Sequence, residues 1–294
     1  MATTHQHTLA GPAIFAGVGL HTGRRIRAAI LPAAAGSGIV FVRTDLGGRA
    51  IQARAGNVVD TRLNTVLGDG SGATVSTVEH LMAAFAALEV DNAVVELDGP
   101  EAPIMDGSAA AFVQMIDHVG LRRQEAARQY LEVLRPIEVT DGCRRASLRP
   151  AARLELAFEI DFDSPAIGRQ HIDLVMDQAA FRAQLADCRT FGFLHEVEAL
   201  RAAGLALGGS LDNAVVVDGE AVLNPEGLRR PDEFVRHKAL DALGDLYLLG
   251  LPLMGRFEGV RAGHALNNAL VRKLLARPQA WRLSAASEAL AKTG

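Results

Sequence analysis

Short apolar runs separated by turn residues fill most of the first third of the chain, and such runs predict strands. The predicted strands are IRAAIL (26–31), GIVFVR (38–43), NTVLG (64–68) and NAVVEL (92–97). The apolar spacing changes to that of a helix in STVEHLMAAFAAL (76–88) and again in AAAFVQMIDHV (109–119). The first part of the chain therefore predicts one sheet and two helices.

A similar order of elements recurs in the second part. Apolar and polar residues alternate in LEVLRPIEV (131–139) and LELAFEIDF (154–162), which predicts strands. A helix over 233–249, a strand-like run over 252–260 and a helix after Gly263 follow near the end. Strand runs followed by helix runs are typical of an α+β layered fold. We predict two related units, each a sheet covered by two helices.

The charged and poorly periodic stretch RRQEAARQ lies between the two units. We predict a first domain over 1–122, a linker over 123–129 and a second domain over 130–294. Within the second domain, the segment 190–220 is predicted to form a helix, a turn and a strand, with Gly204 ending the helix. The first unit shows no counterpart, so this segment is predicted to be an insertion with a function of its own.

The composition excludes several classes of protein. The chain has 294 residues, of which 49% are hydrophobic and 22% charged, and its formal net charge of −4 gives no footprint for nucleic acid. No apolar run approaches the ~20 residues that span a bilayer, and the start of the chain lacks the features of a signal peptide. Cys143 and Cys188 imply no disulfide framework. We predict a cytoplasmic protein without a membrane span. Such a protein can still act on an amphiphilic substrate, because access to a membrane does not require a membrane span.

The helix over 233–249 carries a candidate metal site. His237 and Asp241 lie four residues apart and therefore on one helix face. A catalytic zinc takes three protein ligands and leaves a fourth position open. His80, in the corresponding helix of the first unit, is the natural third ligand if the helix pairs face each other. The alternative is a helix-stabilising His–Asp pair without a metal.

Two further groups could act as acid and base. Glu79 precedes His80 and could accept a proton from a water molecule. However, Ser76 and Glu79 also have the spacing of a capping box, which would give Glu79 a purely structural role. His264 follows Gly263 at a helix start, where Asp245 could restore a positive charge that stabilises an oxyanion or protonates a leaving amine. Its alternative is a partly buried capping histidine.

Taken together, these stretches resemble the zinc-dependent UDP-3-O-acyl-N-acetylglucosamine deacetylases of lipid A biosynthesis in Gram-negative bacteria. The resemblance runs in order from residue 8 to about 276. The matching segments are GVGLHTG (17–23), RTDL (43–46), STVEHL (76–81), APIMDGSAA (102–110), RTFGF (189–193), DEFVRHK with the LDA and GDL that follow it (232–246), and AGHALNN (262–268). Asn64 departs from the family by standing where some members have a cysteine, and Met82 stands where asparagine is familiar.

The resemblance implies the fold and the chemistry. It implies a two-domain sandwich, each domain a sheet layer and a helix layer, with the active site between the helix layers. It implies a metal-dependent amidohydrolase in which the residues have these roles: His80, His237 and Asp241 bind zinc, or iron(II) in the cell; Glu79 is the general base; His264, oriented by Asp245, is the protonated histidine; Thr190 stabilises the oxyanion; Lys238 lies on the substrate side of the metal.

The substrate implied is an amphiphilic UDP-sugar that loses its N-acetyl group as acetate. The insertion 190–220 is expected to form a hydrophobic passage for the acyl chain, with Leu20 and Phe191 near its mouth and with Phe193 and Ser210 as further contacts. Phe162, Arg144 and Arg261 are expected near the UDP group. A monomer is expected.

Two other functions fit some of these residues. Two histidines and a carboxylate also suit non-haem iron(II) oxygenases, but those sites are usually built on strands of a barrel. A duplicated scaffold without catalysis would use its polar residues only to cap helices. The order of the motifs favours the deacetylase over both.

Overall fold

The computed structural model describes residues 3–285 of the chain. Its α-helices, in chain order, are α1 (Glu79–Leu88), α2 (Ala110–Val119), α3 (Gln178–Gln184), α4 (Leu194–Ala202), α5 (Glu233–Tyr247) and α6 (His264–Leu275). Its strands are β1 (His5–Leu9), β2 (Ala13–Val18), β3 (Arg25–Pro32), β4 (Ile39–Arg43), β5 (Arg49–Gln52), β6 (Val58–Asp60), β7 (Val66–Gly68), β8 (Thr74–Val75), β9 (Ala93–Leu97), β10 (Leu121–Ala127), β11 (Gln129–Val133), β12 (Ile137–Asp141), β13 (Arg144–Arg149), β14 (Leu154–Asp161), β15 (Arg169–Val175), β16 (Phe191–Phe193), β17 (Val215–Asp218), β18 (Ala221–Val222), β19 (Leu253–Val260) and β20 (Trp281–Ala285).

Two sheets share one topology. The first has the order β2-β3-β9-β4-β5, in which β9 and β4 are parallel and the other neighbours antiparallel. The second contains the order β12-β13-β19-β14-β15 with the same pattern of directions, and β19 also pairs with β11, which pairs with β20. The predicted α+β fold with two related sheet-and-helix units is confirmed.

The helices occupy equivalent places in the two units. In each unit one helix precedes the central strand and one follows it: α1 and α2 around β9, and α5 and α6 around β19. Helices α1 and α5 pack directly against each other, and Gly244 of α5 makes this approach possible. A Cβ atom on Gly244 would lie 2.0 Å from the backbone oxygen of Glu79. The close crossing brings the N-terminal turn of α1 beside the middle of α5.

Most of the predicted linker over 123–129 forms a strand instead of an irregular connection. Residues 121–127 form β10, which pairs antiparallel with β1, and Gln129 already begins β11. Most side chains of β10 are exposed, so neither face carries the apolar alternation that marks a half-buried strand. The poor periodicity of this stretch therefore reflects a solvent-exposed ribbon. The division into domains at this point stays a prediction.

Each unit has an insertion before its central helix. In the second unit it includes β16, α4 and β17, where β16 and β17 pair in parallel, so a short strand precedes the predicted helix, turn and strand. In the first unit, β6, β7 and β8 form a small antiparallel sheet between β5 and α1. The prediction that the first unit has no counterpart to the segment 190–220 was wrong, because β6, β7 and β8 lie at the equivalent place in the chain order. The two insertions nevertheless differ in structure.

Within the described residues, no helix has the length and apolar character needed to cross a membrane. The helices instead bury apolar faces on the sheets. Phe85 of α1 and Phe234 of α5 are fully buried, and burying a side chain of this size contributes about 1.5–3 kcal/mol. The core therefore holds α1 and α5 in place, and with them the polar residues that both helices carry.

Candidate active site

Three predicted ligands meet where α1 and α5 cross. The Nε2 atoms of His237 and His80 lie 3.3 Å and 3.5 Å from Oδ1 of Asp241. All three side chains are buried, and their ligand atoms lie within 4.8 Å of one another. Ligand atoms about 2.0–2.1 Å from a tetrahedral zinc are themselves about 3.3 Å apart. The donor set and its spacing therefore fit a single metal ion.

The protonation states of these residues also suit a metal. Nδ1 of His237 donates to the backbone oxygen of Cys188 at 3.0 Å, which leaves Nε2 as the acceptor facing the cluster. Burial lowers the pKa of His237 to about 3, so its imidazole is neutral. Burial opposes ionisation of Asp241, but the positive charge of Lys238 helps to hold the pKa of this carboxyl well below its usual range. The group thus offers neutral nitrogen and anionic oxygen.

Lys238 supplies a cation beside the ligand group. Its Nζ donates to Oδ2 of Asp241 at 2.8 Å, while Oδ1 faces the histidines. Burial lowers the pKa of Lys238, but the charge of Asp241 outweighs this effect and raises it. The lysine is therefore charged and fixes which carboxylate oxygen faces the histidines.

Cys188 contributes its backbone but not its thiol. Burial raises the pKa of this thiol to about 12, so the thiolate that would bind a metal is scarce at neutral pH. The neighbouring Arg189 is buried and donates to the buried carboxylate of Glu233 at the start of α5. This ion pair fixes the chain at Thr190 beside α5.

Glu79 is not part of a capping box. Helix α1 begins at Glu79, and Ser76 lies three residues earlier, where its hydroxyl donates to the backbone oxygen of Pro100. Oε2 of Glu79 accepts the backbone N–H of Thr65 at 3.1 Å, and Oε1 lies 4.0 Å from Nε2 of His264. Burial raises the pKa of Glu79. The capping alternative for Glu79 is wrong, because the chain at Ser76 follows a neighbouring extended segment instead of entering the helix.

His264 is held by a carboxylate on the adjacent helix. Its Nδ1 donates to Oδ2 of Asp245 at 2.9 Å, and Asn267 donates to the same oxygen at 2.9 Å. Burial lowers the pKa of His264, but Asp245 and Glu79 raise it to about 9. The imidazole is therefore protonated at neutral pH, and its Nε2 faces Glu79 and Asp241.

Thr65 joins this cluster, although no sequence pattern singles it out. In addition to its bond to Glu79, its hydroxyl donates to Oδ1 of Asp245 at 2.6 Å. The neighbouring Asn64 donates to the hydroxyl of Thr77 and lines the same cleft. Both Asn64 and Thr65 belong to the insertion of the first unit. A threonine in a short strand is common, so only the tertiary contacts reveal this role.

A buried carboxylate organises the loop GVGLHTG. Glu101 is fully buried and accepts the backbone N–H groups of His21 and Thr22 and the hydroxyls of Thr22 and Thr77. Hydrogen bonds from several neutral donors compensate for the desolvation of this carboxylate. The loop thereby places Leu20 and His21 at the cleft.

The cleft over the metal-ligand group gathers most of the predicted substrate contacts. It is lined by Leu20, Phe162, Thr190, Phe191, Phe193 and Lys238, and also by His21 of the stretch GVGLHTG and by Asn64. Arg62, Leu63 and Glu196, which sequence reasoning did not single out, line it as well. The rings of Phe191 and Phe193 each lie 5.8 Å from that of Phe162, and Phe191 also contacts His237 at 6.3 Å. An aromatic surface therefore extends outward from the ligand group.

Three predicted substrate contacts lie elsewhere. Arg144 pairs with Asp141, and Arg261 pairs with Asp161 at the end of β14. Ser210 is exposed. The described cleft lining does not include these three residues. They lie on loops and strand ends, whose side-chain directions depend on packing that periodicity does not report.

Comparison with known proteins gives a consistent similarity over nearly the whole chain. A family model for UDP-3-O-acyl N-acetylglycosamine deacetylase matches residues 6–276. A UDP-3-O-acyl-N-acetylglucosamine deacetylase of Phenylobacterium zucineum is 65% identical over 289 residues, which are 98% of this chain and 99% of that protein. Proteins of the same name from Syntrophotalea carbinolica (50% over 286 residues, 97% and 92%) and Acidithiobacillus ferrooxidans (51% over 279 residues, 94% and 91%) are also similar.

Proposed function

The chain belongs to the family of UDP-3-O-acyl N-acetylglycosamine deacetylases, and from this premise we propose that it hydrolyses the N-acetyl group of UDP-3-O-acyl-N-acetylglucosamine with a zinc ion held by His80, His237 and Asp241. It is thus a deacetylase acting in lipid A biosynthesis. The observation that carries the proposed site is the convergence of these three ligands with Glu79 and His264 in one cleft. The cytoplasmic location and monomeric state stay predictions.

A zinc ion bound by His80, His237 and Asp241 would supply Lewis acidity, which would polarise the acetamide carbonyl and lower the pKa of water. Iron(II) suits the same two imidazoles and one carboxylate. The neutral His237, the ionised Asp241 and the distances among the donors support this assignment. Lys238, held on the other oxygen of Asp241, keeps that carboxylate from rotating.

Hydrolysis joins the oxygen of water to the acetyl carbon and breaks the carbon–nitrogen bond, giving acetate and an amine. We assign Glu79 the proton of the attacking water, because its carboxylate lies beside the ligand group and Thr65 fixes its orientation. His264 is protonated, and its Nε2 lies 4.0 Å from Oε1 of Glu79 in the same cleft. It donates to the developing oxyanion or to the leaving nitrogen, and Thr190 adds a hydroxyl at the same cleft.

The acyl chain is assigned to the aromatic surface formed by Phe162, Phe191 and Phe193. Helix α4 supports this assignment, because none of its residues is buried. Leu194, Val197 and Leu200 are only half-buried, so this helix does not behave as ordinary core. Each methylene of an acyl chain buried here would contribute about 0.8 kcal/mol.

The proposed function is tested by mass spectrometry of acetate released from UDP-3-O-(3-hydroxyacyl)-N-acetylglucosamine. We expect release by the purified protein, loss of release with a chelator, and recovery on adding zinc. The same reaction without oxygen separates the deacetylase from an iron(II) oxygenase, because hydrolysis consumes no oxygen. Full activity in the presence of chelator, with no metal bound, would exclude the metal site, and no acetate under any condition would exclude the activity.

A further inference from the structure

Thr65 lies between the small sheet β6–β8 of the first unit and the cluster formed by Glu79, Asp245 and His264. It directly precedes β7, and its side chain is 1% exposed. The residue comes from the first unit, whereas Asp245 and His264 come from the second, 180 and 199 positions away. Its contacts therefore depend on the packing of one unit against the other.

Thr65 donates one hydrogen bond to each of two buried carboxylates. Its backbone N–H donates to Oε2 of Glu79 at 3.1 Å, and its hydroxyl donates to Oδ1 of Asp245 at 2.6 Å. The hydroxyl oxygen also lies 3.4 Å from Nδ1 of His264. A hydroxyl has a single proton, and the short distance to Asp245 shows where it goes. Nδ1 of His264 directs its own proton to Oδ2 of Asp245.

The two oxygens of Asp245 consequently have different partners. Oδ2 accepts from His264 and Asn267, and Oδ1 accepts from Thr65. Among residues 3–285, Thr65 is the hydrogen-bond donor to Oδ1 of Asp245. Without the hydroxyl, Asp245 could rotate about its terminal bond, and the imidazole that it orients would follow. The same residue, through its backbone, fixes the carboxylate of Glu79.

We propose that Thr65 is a positioning residue that sets the geometry of Glu79 and of the Asp245–His264 pair relative to each other. This inference rests on the proposed function. Thr65 does not line the cleft, so it acts through its two neighbours and not on the substrate. The Cγ methyl is not required for this role, whereas the hydroxyl is.

The test compares Thr65→Val, which replaces the hydroxyl with a methyl of similar size, with Thr65→Ser, which keeps the hydroxyl. Thr8→Val is the matched control, because Thr8 is a fully buried threonine whose hydroxyl accepts a backbone N–H of Ala33 far from the cleft. For the metal-loaded enzyme, kcat, KM, melting temperature and metal content are measured for all four proteins. We expect Thr65→Val to lower kcat about 10–100-fold, the usual effect of losing a hydrogen bond to a charged group, with KM changed by less than about threefold.

We expect Thr65→Ser to recover most of kcat and Thr8→Val to lose stability without losing kcat. A wild-type kcat in Thr65→Val overturns the inference. Equal losses in the valine and serine variants also overturn it, because the serine variant keeps the hydroxyl and should then keep most of kcat. If the valine variant does not fold, Thr65→Ala removes the hydroxyl without adding a methyl and answers the same question. Failure of the wild type to release acetate contradicts the proposed function instead, so the two failures are distinguishable.

Discussion

The α-carbon of Gly244 in α5 faces the backbone carbonyl of Glu79 in α1 so closely that a Cβ atom would lie 2.0 Å from that oxygen. The contact sets the distance between the two helices that carry the metal-ligand group. We predict that Gly244→Ala forces α1 and α5 apart, lowers the melting temperature by several degrees and lowers activity more than 10-fold, since overpacking a core costs about 1–3 kcal/mol.

The control for Gly244→Ala is Gly56→Ala. Gly56 is exposed, has an ordinary φ, and an added Cβ would meet nothing within 4 Å. We expect Gly56→Ala to have the melting temperature of the wild type by differential scanning calorimetry and the same rate of acetate release. A Gly244→Ala protein with the stability and rate of the wild type would show that the helix crossing tolerates a wider separation.

Removing a ligand should remove the metal. Asp241→Asn preserves volume and the hydrogen bond to Lys238 but loses the anionic oxygen, so we predict much less bound metal and no measurable turnover. Alanine is a poorer choice, because it leaves the buried charge of Lys238 unpaired. Metal content is measured by mass spectrometry, with Asp232→Asn as control, since Asp232 lies before the same helix and pairs with Arg236. Tightly bound zinc and a normal rate in Asp241→Asn would contradict the ligand assignment.

Glu79→Gln should separate the base from the metal site. The amide cannot accept the proton of water at neutral pH, so we predict a loss of about 10²–10⁴-fold in kcat with metal content unchanged. Oε2 of Glu79 accepts from Thr65, and the side-chain oxygen of glutamine preserves this contact. A rate near that of the wild type would assign proton removal to another group.

The rate should depend on pH in a bell shape. Burial raises the pKa of Glu79, so the rate falls on the acid side as this carboxylate takes up a proton. On the basic side the rate falls as the pH rises through the pKa of His264, about 9, and the imidazole loses its charge.

Asp245→Asn tests the basic limb. Asp245 raises the pKa of His264, so its neutralisation should move this limb to lower pH in profiles of kcat/KM. Asp232→Asn removes a carboxylate near α5 without contacting His264 and should leave the limb in place. A basic limb that does not move in Asp245→Asn would identify a different group as the acid.

The aromatic surface predicts a dependence on acyl length. Phe193→Ala removes one wall of the surface around Phe162, so we predict a larger loss in kcat/KM for long-chain substrates than for short ones. Val175→Ala, at an exposed position on β15, serves as the control. If the wild type and both variants show the same dependence across a series of acyl lengths, the chain binds elsewhere.

Local patterns predicted much of the fold. Short apolar runs located β3, β4 and β9, and the alternation of apolar and polar residues located β14. The helical spacing located α2, α5 and α6 to within a few residues. The shared face of His237 and Asp241 followed from helix geometry, because residues four apart share a face in any helix. Their role as metal ligands followed only from the resemblance to the deacetylase family. The strand β10 was missed, since an exposed ribbon lacks the burial that produces an alternating pattern.

The sequence by itself thus determined many of the elements, the repeated order of helices and strands, and the polar residues that share a helix face. Only the tertiary structure decided that Ser76 leaves Glu79 free of a capping role, that Glu101 holds the loop of His21, and that Thr65 joins Glu79 to Asp245. The reason is that a side chain's partner across 180 residues depends on how closely two helices pack. Gly244 sets that approach, and no local pattern encodes the distance.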